Sequence, residues 1–175
     1  MDKWATYYKG ICERVGANSS CHSRQIGAIL VRDRSIISTG YNGPPRVVPH
    51  CGTERLKCDD YLKMRMKQTI APIFESDNCP RKDMGYKSGE GLDFCVAAHA
   101  EQNCVANAAR MGICTFDSTL YMNDQIPCKV CLAIIINAGV KEVVVTRLET
   151  YDAEGEYVAR YGGLEIRTFE GEKWK

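Results

Sequence analysis

The 175-residue chain carries 23 basic and 22 acidic side chains, a net charge of +1, spread without long charge runs. A chain of this length fits one core-bearing domain. Near-neutral charge argues against a protein whose main task is gripping a nucleic-acid backbone, and no apolar run approaches the ~20 residues of a membrane span. The opening MDKWATYYKG lacks the apolar segment of a secretory signal, so a cytoplasmic protein is expected. In a reducing compartment its ten cysteines point to metal rather than to a disulfide framework.

Taken in order, Trp4, Tyr7, Tyr8, Ile11 and Val15 recur at helical spacing and predict an amphipathic helix from Trp4 to about Ala17. GAILV (27–31) and SIISTGYNG (35–43), joined by Arg32, Asp33 and Arg34, predict a hairpin. Pro44, Pro45 and Pro49 then break regular structure. From Arg46 to about Gly91 the pattern weakens, apart from a helix through Asp59 to Lys67. So long an irregular stretch is usually functional, or tied down by something other than a core. The Ala-rich run 97–111 predicts a helix ending at Gly112. TLYM (119–122) reads as a strand and 128–137 as an apolar helix behind Pro127. KEVVVTRL (141–148) and LEIRTF (164–169) read as strands. Helices alternating with apolar strands predict an α/β layered domain.

His99-Ala100-Glu101 opens one expected helix and Pro127-Cys128-Lys129-Val130-Cys131 another. Two residues between cysteines let both sulfurs face one point at a helix N-terminus, where the dipole and free N–H groups favour thiolates. With His99 they make three protein ligands and leave one tetrahedral position open, the arrangement of a catalytic zinc. A water there is acidified towards neutrality. Glu101, two residues from the histidine, can move that water's protons without binding the metal. A lone HAE or a lone C-x-x-C means little. H-x-E followed by P-C-x-x-C, each at a helix start with a strand between, is the signature of the zinc nucleobase deaminases.

With those residues in place, the chain resembles the phage and bacterial deoxycytidylate (dCMP) deaminase family, through QIGAIL, GYNGPPRVVPHC, HAEQNCVANAA, PCKVC and INAGVKEVVV. The resemblance implies a three-layer α/β/α sandwich with a mixed central sheet. It implies a single domain over 1–175, with an irregular insert at about 46–92. It further implies zinc-dependent conversion of dCMP to dUMP for thymidylate synthesis. Activation by dCTP, inhibition by dTTP, Mg2+ with the effector triphosphate and a homo-hexamer are implied too, with no nucleic-acid or membrane partner. Asn42 in GYNG would orient the deoxyribose, though Asn-Gly is also a strong turn signal. Ala100 and Tyr151 would lie on the substrate side, and Arg24 is the nearest cation for the phosphate. Asn107 and Arg110 would be regulatory, with a solvated helix-face arginine as the plain alternative. Tyr151 lies further from PCKVC than the family pattern, and MNDQI (122–126) replaces a shorter run.

The resemblance also places Cys21 and Cys51 at positions that carry a structural zinc in phage members. Cys79 and Cys95, with His50 and His22 as alternatives, are the local candidates for the remaining ligands. Such an ion would order the core-poor stretch between Cys51 and Cys95; free, partly buried thiols are the plain alternative. Cys12 and Cys104 lie on expected core faces, and Cys58 and Cys114 are undecided. Two other readings stay open: deamination of cytidine or of a tRNA adenosine, and a non-catalytic nucleotide-binding zinc scaffold. The intact Glu101 and three-ligand set favour catalysis.

Overall fold

Helix α1 (Lys3–Gly16) forms where its aromatic spacing predicts, and Asp2 starts it by accepting the Ala5 N–H at 2.8 Å. The computed structural model describes residues 2–69, 78–87 and 89–175. They divide into two compact units: one holds the chain up to Ser19, Ile26–Asn42 and His99–Lys175, the other Ser20–Gln25 and Gly43–Ala98.

The first unit is built on a mixed sheet. Strands β1 (Gly27–Arg32) and β2 (Ser35–Tyr41) form the expected antiparallel hairpin, turned by Asp33 and Arg34, both at positive φ (50° and 63°). That two-residue left-handed turn matches the twist of the strands it joins. On its other side β1 pairs antiparallel with β3 (Thr119–Met122). Strands β4 (Glu142–Val145) and β5 (Glu165–Thr168) continue in parallel, giving the order β2-β1-β3-β4-β5. Parallel neighbours need crossovers. Helix α6 (Lys129–Asn137) lies between β3 and β4 in the chain, and α7 (Ala153–Tyr161) between β4 and β5.

Alternation along the strands makes the layers. Ala28, Leu30, Leu120, Val143 and Val145 share a buried cluster with Ala100, Cys104, Leu132 and Ile135, which come from α6 and from α5 (Ala100–Arg110). Ile29, Val31, Tyr121 and Val144 point the other way and pack with Ala5, Tyr8 and Cys12 of α1. Helices therefore cover both faces of a mixed sheet, the α/β/α architecture expected. Each fully buried aliphatic side chain contributes roughly 1.5–3 kcal/mol by leaving water.

Two glycines set how closely helices approach this sheet. A Cβ on Gly40 would overlap the Ala100 carbonyl and Cys104 nitrogen of α5, and one on Gly27 would overlap the Cys12 carbonyl of α1. Asn103 and Asn107 then latch α5 to the sheet edge, each donating from Nδ2 at 2.8 Å to the Tyr41 and Thr39 carbonyls. These bonds satisfy acceptors that an edge strand otherwise exposes.

Cys12 and Cys104 have no exposed surface, as their core-facing positions predict. Burial pushes both thiols well up, Cys104 to about 12. Since the thiolate is the reactive form, both should resist iodoacetamide at pH 8 while exposed Cys58 and Cys114 are alkylated. Mass mapping of the folded protein checks this; modification of Cys12 or Cys104 as fast as Cys114 would contradict it.

Several elements differ from their expected bounds. Helix α5 starts at Ala100 rather than Ala97, because His99 is extended (φ −73°, ψ 158°) as its N-cap. Strand β4 stops at Val145, because the Thr146 N–H turns to the Asp124 carbonyl. No helix was expected at α7. Asp152 caps it, accepting the Gly155 N–H.

The second unit has more order than its sequence suggests. Helices α2 (Thr53–Cys58), α3 (Asp60–Thr69) and α4 (Pro80–Asp83) surround a core of Leu56, Leu62, Met66, Met84 and Phe94. Tyr61 and Tyr86 stack on Phe94 at 6.2 and 6.0 Å between ring centroids. The expectation of a core-poor stretch is thus corrected: α3 lies where a helix was expected, and its Leu62 and Met66 cluster with Leu56, Met84 and Phe94. Arg55, buried, joins Asp59 at 2.8 Å and donates to the Phe94 carbonyl. Residues 70–77 and 88 of the expected insert lie outside the described residues. Among the described residues no helix is long and apolar enough to cross a membrane.

Candidate metal centre and active site

The first unit brings His99 and the two cysteines of PCKVC to one point. His99 is the N-cap of α5 and Cys128 the N-cap of α6, so each side chain leaves the chain just before its helix begins. The Gln102 side chain fixes the first cap by accepting the His99 N–H at 2.8 Å. The His99 Nδ1 lies 3.3 Å from the Cys131 sulfur and 3.6 Å from the Cys128 sulfur. All three donor atoms fall within 4.8 Å of one another.

Electrostatics follow from this crowding. The Cys131 thiol donates to Cys128, and with help from His99 this pulls the Cys128 thiol down to about 4. The same bond, together with burial, pushes Cys131 up, so the pair holds one proton tightly and gives up the other easily. Glu101, in the first turn of α5 and 4 % exposed, is raised above its usual range chiefly by burial. A carboxyl raised in this way takes up a proton more readily than a free one, as a general acid–base must. Two soft sulfurs and an imidazole are the donor set that zinc takes. The residues fit such an ion, which His99, Cys128 and Cys131 would hold.

A shell that the motif does not reveal supports the ligands. Asp152 accepts the Lys129 N–H at 3.3 Å as well as capping α7, so one carboxylate serves the starts of two helices. Asn123 Oδ1 accepts the Gly27 N–H at 2.7 Å, and Asp124 takes Arg147 at 2.9 Å. Together these bonds tie down the MNDQI loop. The available signal was the cap pattern of Asp152 ahead of AEGE; nothing local marks Asn123. Asp152→Ala is expected to lose about 1 kcal/mol as a cap and about tenfold in zinc affinity as a ligand support. Thermal melting and chelator competition measure the two. Unchanged zinc affinity would leave it only the cap role.

The other expected site residues are placed as follows. Ala100 is fully buried at the start of α5. Asn42 is buried; its Oδ1 accepts the Ile26 N–H at 2.8 Å and its carbonyl the Ser19 hydroxyl at 2.6 Å, so it braces the chain around GYNG. Tyr151 is 39 % exposed and directly precedes the Asp152 cap. Arg110 is exposed at the end of α5, and Asn107 serves the sheet edge. Arg24 is half-buried and belongs to the second unit.

Within the second unit, Cys21, Cys51, Cys79 and Cys95 line one cavity of about 30 Å3, with His22, Arg81 and Phe94 among its other walls. His50 instead pairs its Nδ1 with the Ser20 hydroxyl at 2.6 Å. Burial raises the Cys51 thiol, against an opposing hydrogen bond and charge from Arg55. Among the described residues only the His99 set has three such donors within 4.8 Å, so no three of these four sulfurs come that close together.

An α/β/α unit with three zinc-type donors at two helix N-termini and a buried carboxylate beside them is the architecture of a hydrolytic zinc centre. Residues 2–147 match the model of the cytidine and deoxycytidylate deaminase zinc-binding region, and the chain belongs to that family. It is 28 % identical over 166 residues to the deoxycytidylate deaminase of Schizosaccharomyces pombe, covering 95 % of this chain and 44 % of that one. It is 30 % identical over 146 residues to the deoxycytidylate deaminase of Mycobacterium phage D29, covering 81 % and 92 %. The chain thus spans less than half the length of the fission-yeast relative. The dCMP deaminase of cyanophage S-TIM5, solved in complex with dCMP and dUMP, superposes with a TM-score of 0.63 at 22 % identity, covering 96 % of this chain and 98 % of that one. This last likeness is one of fold.

Proposed function

We propose that the chain hydrolyses dCMP to dUMP and ammonia. The observation that carries the reading is the His99–Cys128–Cys131 cluster with buried Glu101 two residues from its histidine. Zinc, when bound, supplies Lewis acidity and an acidified water. Glu101 takes one proton of the attacking water and gives it to the ring nitrogen, then takes the proton left on the added hydroxyl and gives it to the departing amine. The oxygen ends on the ring carbon and the nitrogen leaves as ammonia. Burial keeps bulk water from competing for that proton. Asn42 orients the deoxyribose, Ala100 and Tyr151 border the base, and Arg24 meets the phosphate.

The named relatives support dCMP over cytidine or a tRNA adenosine, and the near-neutral charge disfavours tRNA. Ammonia release from dCMP, cytidine and a tRNA stem-loop tests the choice. Turnover of a rival without turnover of dCMP would overturn it.

In the same reading the enzyme works in the cytoplasm and supplies dUMP for thymidylate synthesis as a homo-hexamer. Its activator is dCTP and its inhibitor dTTP, bound with Mg2+ near Asn107 and Arg110; the family resemblance supports this. A dCMP titration should be sigmoidal, sharpened by dCTP and suppressed by dTTP. Hyperbolic rates indifferent to both would remove the regulation. A second, structural zinc held by Cys21, Cys51, Cys79 and Cys95 completes the reading, supported by their shared cavity.

A further inference from the structure

We propose that Arg147 is a positioning residue of the active site: it locks the strap 146–152 onto the loop ahead of Cys128, and so holds Tyr151 alongside that ligand. The inference deepens the dCMP reading above, on which the substrate-side role of Tyr151 rests. It begins where β3 and β4 part. Their regular pairing stops at Tyr121 and Val144, then resumes as one parallel bridge between Gln125 and Arg147. Four steps of chain on one side therefore face three on the other, and the MNDQI loop bulges. The bulge interrupts the ladder that would otherwise join the two segments.

Side chains take the ladder's place. Arg147 donates from Nη2 to Asp124 Oδ1 at 2.9 Å and to Gln125 Oε1 at 3.1 Å, and from Nη1 to Glu149 Oε2 at 3.1 Å. A lone ion pair at a surface contributes little. Here one planar fork joins three acceptors drawn from both segments, and the Asp124 carboxylate among them is nearly buried. The Asp124 carbonyl accepts in turn from the Thr146 N–H at 2.9 Å and the Thr146 hydroxyl at 3.0 Å.

What this brace holds lies further along the chain. The Ile126 N–H donates to the Glu149 carbonyl at 3.2 Å, and the Lys129 N–H to Asp152 at 3.3 Å. Residues 126–129 and 149–152 are thus equal lengths of chain joined at both ends, so Tyr151 is carried alongside Cys128. Asp152 secures the far end by capping α7. The near end rests on the bond between Ile126 and Glu149, and Arg147 grips the chain on both sides of it. The two departures from the family pattern, the MNDQI run and the longer path from PCKVC to Tyr151, are therefore the two halves of one brace.

The test uses the zinc-loaded full chain. Arg147→Met should raise KM for dCMP about tenfold and leave kcat within about twofold, because the loss falls on substrate binding. Arg147→Lys keeps the charge but cannot fork onto three acceptors, and should fall between the two. In a Tyr151→Ala background, Arg147→Met should change KM by less than about twofold, since the residue it positions is gone. Hydrogen exchange at the Ile126 amide should quicken in Arg147→Met, a readout that needs no substrate. Arg147→Gln serves if Arg147→Met does not fold. Turnover of cytidine or a tRNA adenosine in place of dCMP would overturn the dCMP reading alone, and the same KM ratios are then read on that substrate. A fall in kcat with KM unmoved, independent effects of Arg147→Met and Tyr151→Ala, or unaltered exchange at Ile126 would overturn the role of Arg147.

Discussion

Glu101→Gln is expected to lower ammonia release from dCMP by about 10²–10⁴-fold, the range a positioned general acid–base contributes, with zinc content unchanged. The substitution keeps the volume and polarity of a fully buried side chain in the first turn of α5, so neither the helix nor His99 should move. What is lost is the capacity to carry a proton. Burial makes the carboxyl hold a proton more readily than a free one, and an amide carries none at any pH. Steady-state rates with metal analysis on the same sample check the outcome. Retained turnover would mean that another group shuttles the proton.

Gly40→Ala should cost about 3 kcal/mol, at the upper end for overpacking, because a Cβ there meets backbone atoms that no rotamer change can move aside. For a chain of this length that is a melting shift of about 6–12 °C. The displaced element is α5, whose first residues carry His99 and Glu101, so zinc affinity and turnover should fall with stability. Gly27→Ala is the control. It crowds α1 at the Cys12 carbonyl, and α1 carries no ligand. Comparable loss of stability with a smaller loss of turnover than in Gly40→Ala is expected there, since the Gly27 N–H also serves Asn123. Full activity in Gly40→Ala would show that α5 can shift without disturbing the metal centre.

The metal centre was legible because helix N-termini make short motifs geometric: once His99 and Cys128 are caps, three donors follow from a handful of residues. The strands read well for a related reason. GAILV, TLYM and VVV are buried on both faces of a covered sheet, and such runs leave little choice of structure. What stayed hidden is long-range. Asn123 looks like any loop asparagine until the sheet brings the Gly27 N–H to it, and Gly40 looks like a weak point in a strand until α5 lies against it. The second unit escaped because its apolar residues are sparse along the chain and gather only through helix packing.

The reciprocal bridge between Gly43 and Ala98, with N–H to carbonyl distances of 3.1 and 2.9 Å, pinches the chain shut on either side of most of the second unit. Closing a loop costs entropy only as the logarithm of its length, about 0.6 kcal/mol for each doubling. Once the two ends are clasped, growth or shrinkage of irregular chain between them, outside the helices and their core, is thermodynamically almost silent. Relatives should therefore tolerate insertions and deletions between these two residues outside α2, α3, α4 and their core, while His99 follows the clasp directly.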